Sequence, residues 1–286
     1  MILSETHKTP ALEKPIRLQE YGVGIFKTIP TKSGIKKALK KNLVFVDGKI
    51  ATTALFIKGN ELIELYKASE NSTFKQFDFP LEILFEDDYL AIIYKPPGIL
   101  VNGNSFATID NALLQNLSKS SLFDAVRPRP VHRLDYPTSG LLLIGKTNSS
   151  IIALNKLFEN KQIQKTYHAI TIGNIASKGE INLPVNNKTA FTLFEVLKTT
   201  TSIRFIKLNL VKLTPKTGRK HQLRKHLLAI NSPILGDKEH FIEGLILNGK
   251  GLYLHASTLN FRHPFTKKQI TITKELPIKF KKIFAC

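Results

Sequence analysis

The first 66 residues combine a polar start, one helical pattern and one hairpin pattern. Residues 1–14 are mostly polar and predict a loose leader. Apolar side chains then recur at helical spacing over residues 35–43 and predict an amphipathic helix, with Ser33 as its N-cap. Two short apolar runs follow, and Asp47-Gly48 between them predicts a tight hairpin turn. The pattern therefore predicts a small α/β domain over residues 15–66.

The rest of the chain alternates between short apolar runs and turn residues. Residues 67–80 are largely polar up to Pro80 and predict a linker. Beyond them, strands are predicted at 81–85, 90–94, 141–144, 167–172, 191–197, 203–213, 252–261 and 270–273, and helices at 107–117, 150–161 and from Thr217 onward. Helices that interrupt runs of neighbouring strands favour a mixed, mostly antiparallel sheet over a doubly wound parallel one. We therefore predict an α+β domain with flanking helices over residues 81–286.

The composition narrows the choice of partner and compartment. The chain has 286 residues and a formal net charge of +20, from 42 basic and 22 acidic residues. Such an excess points to a polyanion. Nucleic acid is favoured over a membrane because the apolar runs are much shorter than a membrane span. The lone cysteine, Cys286, excludes a disulfide framework and a thiolate metal site, and it fits a cytoplasmic protein.

The predicted N-terminal helix carries a basic surface, which we call the lysine face. The lysine face consists of Lys36, Lys37, Lys40 and Lys41. Such a surface is either a solvated side of a helix or a phosphate-binding site, and the sequence pattern leaves both open. The helix, the following Val44-Phe45-Val46-Asp47-Gly48-Lys49 and the turn Gly59-Asn60 together resemble the alpha-L-type, or ribosomal-protein-S-four-like, RNA-binding module. The resemblance implies that residues 15–66 bind RNA.

The polar stretch that begins at His132 has features of three kinds of chemistry. Residues 140–147 match the letters of a phosphate-binding loop, but four large apolar residues in their middle predict a buried strand whose amides are already paired. A hydrolase triad of His132, Asp135 and Ser139 lacks the nucleophile-elbow pattern. The third interpretation makes Asp135 the reactive group, held by an arginine, because a buried carboxylate needs a partner. Arg224, in the apolar stripe of the helix from Thr217, is either that partner or an arginine that reaches out to solvent.

Four motifs occur over about residues 81–275. One is His132-Arg133-Leu134-Asp135, followed after two residues by Thr138-Ser139-Gly140 and an apolar run. The others are Lys95-Pro96-Pro97-Gly98, Lys165-Thr166-Tyr167, and Gly218-Arg219-Lys220-His221-Gln222-Leu223-Arg224 with Pro233-Ile234-Leu235-Gly236-Asp237 after it. Together they resemble the motifs of the RluA-like family of pseudouridine synthases. A mild departure is Gly145, where the family usually has alanine.

The resemblance implies a bisected antiparallel sheet with a cleft along its middle, and it implies roles for individual residues. Asp135 would be the catalytic carboxylate and Arg224 its partner. Tyr167 would stack on the target base and take the proton from its carbon 5. Supporting or RNA-contacting roles would fall to Lys95, His132, Arg133, Lys165, Arg219 and His221. His132 fits equally well as a structural hydrogen-bonding residue.

The implied reaction cleaves the bond from ribose to the base nitrogen, rotates the uracil and rejoins it through carbon. It requires no cofactor and no metal. Asp135 would either attack the ribose or abstract a proton to give a glycal, and the sequence does not decide between them. We expect a monomeric enzyme whose partner is RNA, ribosomal RNA before transfer RNA, with no membrane or obligate protein partner. The alternative is a non-catalytic RNA-binding or ribosome-assembly protein that retains the fold.

Overall fold

A computed structural model describes residues 1–67 and 77–284. The chain divides into two compact units, residues 1–74 and 75–286. The linker predicted over residues 67–80 falls largely on 68–76, which lie outside the described residues. Its last residues belong to the larger unit, where the rings of Phe77 and Phe79 stack and the Phe77 amide donates to the Asn111 carbonyl.

The smaller unit pairs two helices with a four-stranded sheet and a separate two-stranded ribbon. Its elements are β1 (Ile2–Lys8), β2 (Ala11–Arg17), α1 (Leu18–Tyr21), α2 (Lys32–Lys40), β3 (Val44–Val46), β4 (Lys49–Ile50), β5 (Phe56–Gly59) and β6 (Leu62–Lys67). The sheet has the order β1-β6-β3-β4, and β2 pairs with β5. The predicted helix buries Ile35, Ala38 and Leu39, but its N-cap is Thr31, which accepts from the Gly34 amide, and not Ser33.

The loose leader predicted over residues 1–14 is wrong, because β1 is an ordered strand. β1 lies antiparallel to β6, and its polar side chains have partners that the local pattern does not reveal. The Glu5 carboxylate accepts from the backbone amides of Lys27 and Thr28. Thr9, just after the strand, is buried and donates to Glu61. Tertiary hydrogen bonds thus order a segment whose composition suggested a flexible end.

The larger unit is built on a ten-stranded, mostly antiparallel sheet. Its elements are β7 (Ile83–Glu86), β8 (Leu90–Lys95), α3 (Ile109–Asn116), β9 (Ala125–Pro130), β10 (Ser139–Thr147), α4 (Asn148–Glu159), β11 (Gln164–Ile172), β12 (Lys178–Ile181), β13 (Thr192–Ser202), β14 (Ile206–Pro215), α5 (Gln222–Ala229), β15 (Leu254–Arg262), β16 (Gln269–Thr273) and α6 (Ile278–Lys281). The strand order is β12-β13-β14-β11-β15-β10-β8-β7, with β9 and β16 paired at its sides. The predicted α+β class is confirmed.

A short parallel junction joins the two halves of this sheet. β10 and β15 pair in parallel at two positions, Ser139 with His255 and Gly140 with Ala256. Gly140 has φ +131°, and a Cβ there would lie 2.2 Å from the Ala256 carbonyl oxygen. No other residue type fits this approach without moving the backbone. One hydrophobic core surrounds β11, β13, β14 and α5, and another surrounds β8, β10 and α3.

β10 confirms the prediction of a buried strand where the letters match a phosphate-binding loop. All nine of its residues are buried, and it pairs with β8 from Gly140 to Gly145. Gly145 is explained by α4, because a Cβ there would lie 2.5 Å from Ile151 Cγ1. The helices of the described residues include none that combines the length and hydropathy of a membrane crossing.

Candidate active site

A cleft of about 750 Å³ gathers residues from several separate parts of the larger unit. One wall is the segment 131–135 that leads into β10, the second comes from β11, and the third is the loop between β14 and α5 together with the start of α5. The end of α4, with Glu159, and Leu254 of β15 also line the cleft. Of the residues predicted for the site, those that line this cleft are His132, Arg133, Asp135, Lys165, Tyr167, Arg219, His221 and Arg224. Lys95 does not line it.

Asp135 stands between an arginine and a histidine. Its Oδ2 lies 3.7 Å from Arg224 Nη1, and its Oδ1 lies 3.7 Å from His221 Nε2. Both distances exceed a normal hydrogen bond, so neither contact occupies a carboxylate oxygen closely. The positive charge of Arg224 orients the carboxylate. The Asp135 side chain keeps 20% of its surface exposed, which leaves it accessible from the cleft.

Arg224 has Asp237 as its closest partner, although the family resemblance implied Asp135. Its Nε and Nη2 bind the Asp237 carboxylate at 2.7 and 2.6 Å, and Nη2 also contacts Glu239 at 3.1 Å. Burial opposes ionisation, but the two carboxylates outweigh it and raise the pKa of Arg224. Nη1 is buried without a hydrogen-bond partner among the described residues, and it faces Asp135. Asp237 therefore fixes the guanidinium so that one nitrogen is directed at the Asp135 carboxylate.

Tyr167 lies across the junction between the two halves of the sheet. Its ring packs against both the core around β11 and the core around β10. Burial, with a further contribution from the negative charge of Asp135, raises the pKa of Tyr167 well above its ordinary value. The phenol is therefore protonated at neutral pH.

Lys95 anchors the loop that carries Asp135. Its Nζ donates to the carbonyl oxygens of Thr138 at 2.7 Å, Pro96 at 3.0 Å and Tyr136 at 3.3 Å. The side chain is fully buried, so the predicted RNA-contacting alternative for Lys95 is wrong and the supporting role remains. The Lys95-Pro96-Pro97-Gly98 motif carries no signal for the two acceptors that lie 41 and 43 residues away.

His132 is a structural hydrogen-bonding residue. Its Nε2 accepts from the Leu143 amide at 3.0 Å, which ties the start of the motif to β10. Burial, assisted by the charge of Lys165, lowers the pKa of His132 to about 3. The ring therefore stays neutral and keeps its acceptor nitrogen at physiological pH.

The helix predicted from Thr217 begins later, at Gln222, and the residues before it form a loop. Gln222 Oε1 accepts from the Arg219 amide and from the Thr217 hydroxyl, so this side chain holds the loop in place of a helical turn. His221 adopts φ +56°, which ends any helical path into α5. The loop brings His221 into the cleft, where its Nδ1 lies 3.0 Å from His240 Nε2. Burial lowers the pKa of both histidines.

Replacing Lys95 by Met is expected to change how stability depends on pH. Burial lowers the pKa of Lys95 to about 8, against an ordinary value of 10.5. Between these values the unfolded chain binds more protons here than the folded chain, so the wild-type free energy of unfolding rises with pH relative to the variant. The difference grows by up to about 1.4 kcal/mol per pH unit within this window. Urea unfolding of both proteins from neutral pH to 10.5 measures it, and a constant difference would contradict this assignment.

Comparison with known proteins finds one family repeatedly. A family model described as RNA pseudouridylate synthase matches residues 89–229. The Ribosomal large subunit pseudouridine synthase C of Rickettsia felis is 31% identical over 297 residues, covering 92% of this chain and 94% of that protein. The tRNA pseudouridine synthase C of Vibrio vulnificus is 30% identical, covering 71% of this chain and 94% of that protein. A solved structure, Human RNA Pseudouridylate Synthase Domain Containing 4, has a TM-score of 0.59 at 26% identity and covers 70% of this chain and 90% of that one.

Proposed function

Because this chain belongs to the RNA pseudouridylate synthase family, we propose that it modifies uridines in the RNA of the large ribosomal subunit. It is an RNA pseudouridine synthase, an isomerase that converts uridine in RNA into pseudouridine. The cleft that holds Asp135 beside Arg224 supports the isomerase activity, because the isomerisation requires a carboxylate that faces an open pocket. Asp135 and Arg224 also favour the enzyme over a non-catalytic RNA-binding protein, because RNA binding alone does not require a carboxylate in the cleft.

The lengths of the alignments support ribosomal over transfer RNA. Residues 75–286 make up about three quarters of the chain, and the Rickettsia felis alignment covers 92% of it, so that alignment extends well into the smaller unit. The Vibrio vulnificus alignment takes in nearly all of its protein but only 71% of this chain. The smaller unit thus has a counterpart in the relative that is named for the large ribosomal subunit.

Mapping of pseudouridines in cellular RNA, with and without the gene, tests the target. We expect one or more uridines of large-subunit ribosomal RNA to remain unmodified when the gene is absent, and to be modified again when it is restored. A gene that encodes Asp135→Asn serves as the control and should not restore them. Loss of pseudouridine from transfer RNA alone would contradict the ribosomal target.

In the proposed mechanism the cleft residues act on a uridine that has left its stack. Asp135 either attacks the anomeric carbon of the ribose or abstracts a ribose proton to give a glycal, and in both routes the glycosidic electrons pass to the uracil. Arg224 Nη1, 3.7 Å from Asp135, orients the carboxylate by its positive charge. The uracil then rotates against the Tyr167 ring and rejoins the ribose through carbon 5. Tyr167 starts protonated, so it accepts the carbon 5 proton only as its own phenol proton passes to solvent water in the open cleft.

The smaller unit is proposed to bind RNA through its lysine face. All four lysines are exposed on or beside α2, whose other side is buried against the core of that unit. Arg133, Lys165 and Arg219 line the cleft of the larger unit and are proposed to meet the phosphates of the target strand. We further propose a monomer that works in the cytoplasm, and the lone cysteine, Cys286, fits that reducing compartment.

Changing the lysine face to glutamine is expected to flatten the salt dependence of RNA affinity. Each lost phosphate contact removes about 0.7 to 0.9 from the slope of log affinity against log salt. Filter binding over a range of salt concentrations measures the slope. The matched control changes four exposed lysines of the same unit that lie on strands or loops, namely Lys8, Lys14, Lys58 and Lys67. Equal slopes for the two variants would remove the lysine face from the binding surface.

A further inference from the structure

Two histidines and a glutamate meet at the edge of the cleft, and the isomerisation assigns no role to their contact. They are His221, Glu239 and His240, and their ligand atoms all lie within 4.8 Å of one another. We call this group the His-Glu-His cluster. His221 comes from the loop before α5, whereas Glu239 and His240 follow the buried Asp237, whose carboxylate accepts from both of their backbone amides. The cluster is therefore held by the same carboxylate that fixes Arg224.

The spacing of the cluster matches the ligands of a tetrahedral metal ion. His221 Nδ1 lies 3.0 Å from His240 Nε2 and 3.7 Å from Glu239 Oε2. Ligand atoms that each lie about 2.0–2.1 Å from a tetrahedral zinc ion are about 3.3–3.4 Å apart. The two observed distances bracket this value, so small movements of the exposed Glu239 and the partly buried histidines complete the geometry. Two histidines and one glutamate also form a known type of zinc site with an open fourth position.

The charge of the neighbourhood favours a divalent cation. Arg224 contacts three carboxylates, those of Asp135, Asp237 and Glu239. The single positive charge of Arg224 balances only one of these three negative charges, so this group of four side chains has a net charge of −2. The two carboxylate oxygens of Glu239 have different partners: Oε1 contacts Arg224, and Oε2 faces His221. One oxygen thus remains available for a metal while the other keeps its contact with the guanidinium.

The second nitrogen of His221 links the cluster to Asp135. A metal on Nδ1 leaves the proton of the imidazole on Nε2, and this nitrogen lies 3.7 Å from Asp135 Oδ1. Histidines that bind metals commonly donate their other N–H to a carboxylate. An occupied site would therefore fix His221 as a donor to Asp135, and this N–H would compete with the ribose for the carboxylate.

We propose that the His-Glu-His cluster is a zinc-binding site whose occupation inhibits pseudouridine formation. Its test begins with Zn²⁺ alone and the full-length, untagged protein, so that binding is measured independently of any RNA substrate. Isothermal titration calorimetry should show one bound equivalent in the wild type and an affinity at least about tenfold lower in His240→Gln, since glutamine fills the space without a strong zinc-binding atom. His7→Gln, a histidine of the smaller unit, is the matched control and should bind as the wild type does.

Turnover then tests inhibition, with free Zn²⁺ held constant by a metal buffer. Without zinc, His240→Gln should turn over RNA at the wild-type rate. Saturating zinc should slow the wild type at least about tenfold and leave His240→Gln largely unaffected. Equal zinc affinity in the wild type and His240→Gln would overturn the site, and undiminished wild-type turnover with zinc bound would overturn the inhibition. The calorimetry stands even if the RNA target proves different, which separates this proposal from that of the target.

Discussion

Asp135→Asn is expected to lower the rate of pseudouridine formation by at least about 10⁴-fold, because asparagine neither attacks the ribose nor abstracts its proton. The amide has the size of the carboxylate, and the loop that carries it stays anchored by Lys95 and His132. RNA affinity should therefore remain close to that of the wild type. Release of tritium from RNA labelled at carbon 5 of uridine measures turnover, and filter binding measures affinity.

A matched control for this prediction is Glu159→Gln. Glu159 is an exposed carboxylate that also lines the cleft, so its loss removes the same charge without touching the reactive position. We expect its turnover to stay near that of the wild type. Turnover by Asp135→Asn within tenfold of the control would remove Asp135 from the catalytic role.

Asp237→Asn is expected to destabilise the fold by about 3 kcal/mol and to lower turnover. Asp237 is fully buried and holds Arg224 through two hydrogen bonds, so its neutralisation leaves a buried guanidinium without its main counter-charge. Nη1 also loses its fixed direction toward Asp135, so kcat should fall more than KM rises. Urea unfolding measures stability, and single-turnover assays with saturating RNA measure the chemical step.

Glu239→Gln distinguishes a buried ion pair from an exposed one at the same guanidinium. The Glu239 side chain is 58% exposed, and surface pairs contribute at most about 1 kcal/mol. We therefore expect a much smaller loss of stability than for Asp237→Asn. Similar losses in the two variants would contradict the assignment of Asp237 as the residue that positions Arg224.

Sequence patterns predicted the elements that depend on neighbouring residues. The stripe of α2 and the buried run of β10 follow from short-range periodicity, and the structure confirms both. The predicted start of α5 at Thr217 is wrong, because the Gln222 side chain accepts hydrogen bonds from Thr217 and Arg219 and so stabilises a loop there. Residue spacing does not reveal this interaction.

The sequence motifs predict which residues form the candidate site, but they do not predict the hydrogen bonds and ion pairs that hold these residues in place. Asp135, Tyr167 and Arg224 were each identified, and the structure brings them to one cleft. The pairing of Arg224 with Asp237 was missed, although a carboxylate in a largely apolar segment was a signal that it needs a cation. The three carbonyl acceptors of Lys95 had no signal, since backbone carbonyls carry no sequence identity.

Because of the parallel junction at Gly140, the active site is completed late in folding. Hairpins such as β7–β8 and β13–β14 join strands that are close in sequence, whereas Ser139 and His255 are 116 residues apart. Closing so long a loop is entropically costly and slow compared with local pairing. Asp135 lies on one side of this closure and Arg224 on the other. During synthesis, the junction between β10 and β15 cannot form until β15 has left the ribosome. We therefore expect the growing chain to be inactive toward RNA until that point.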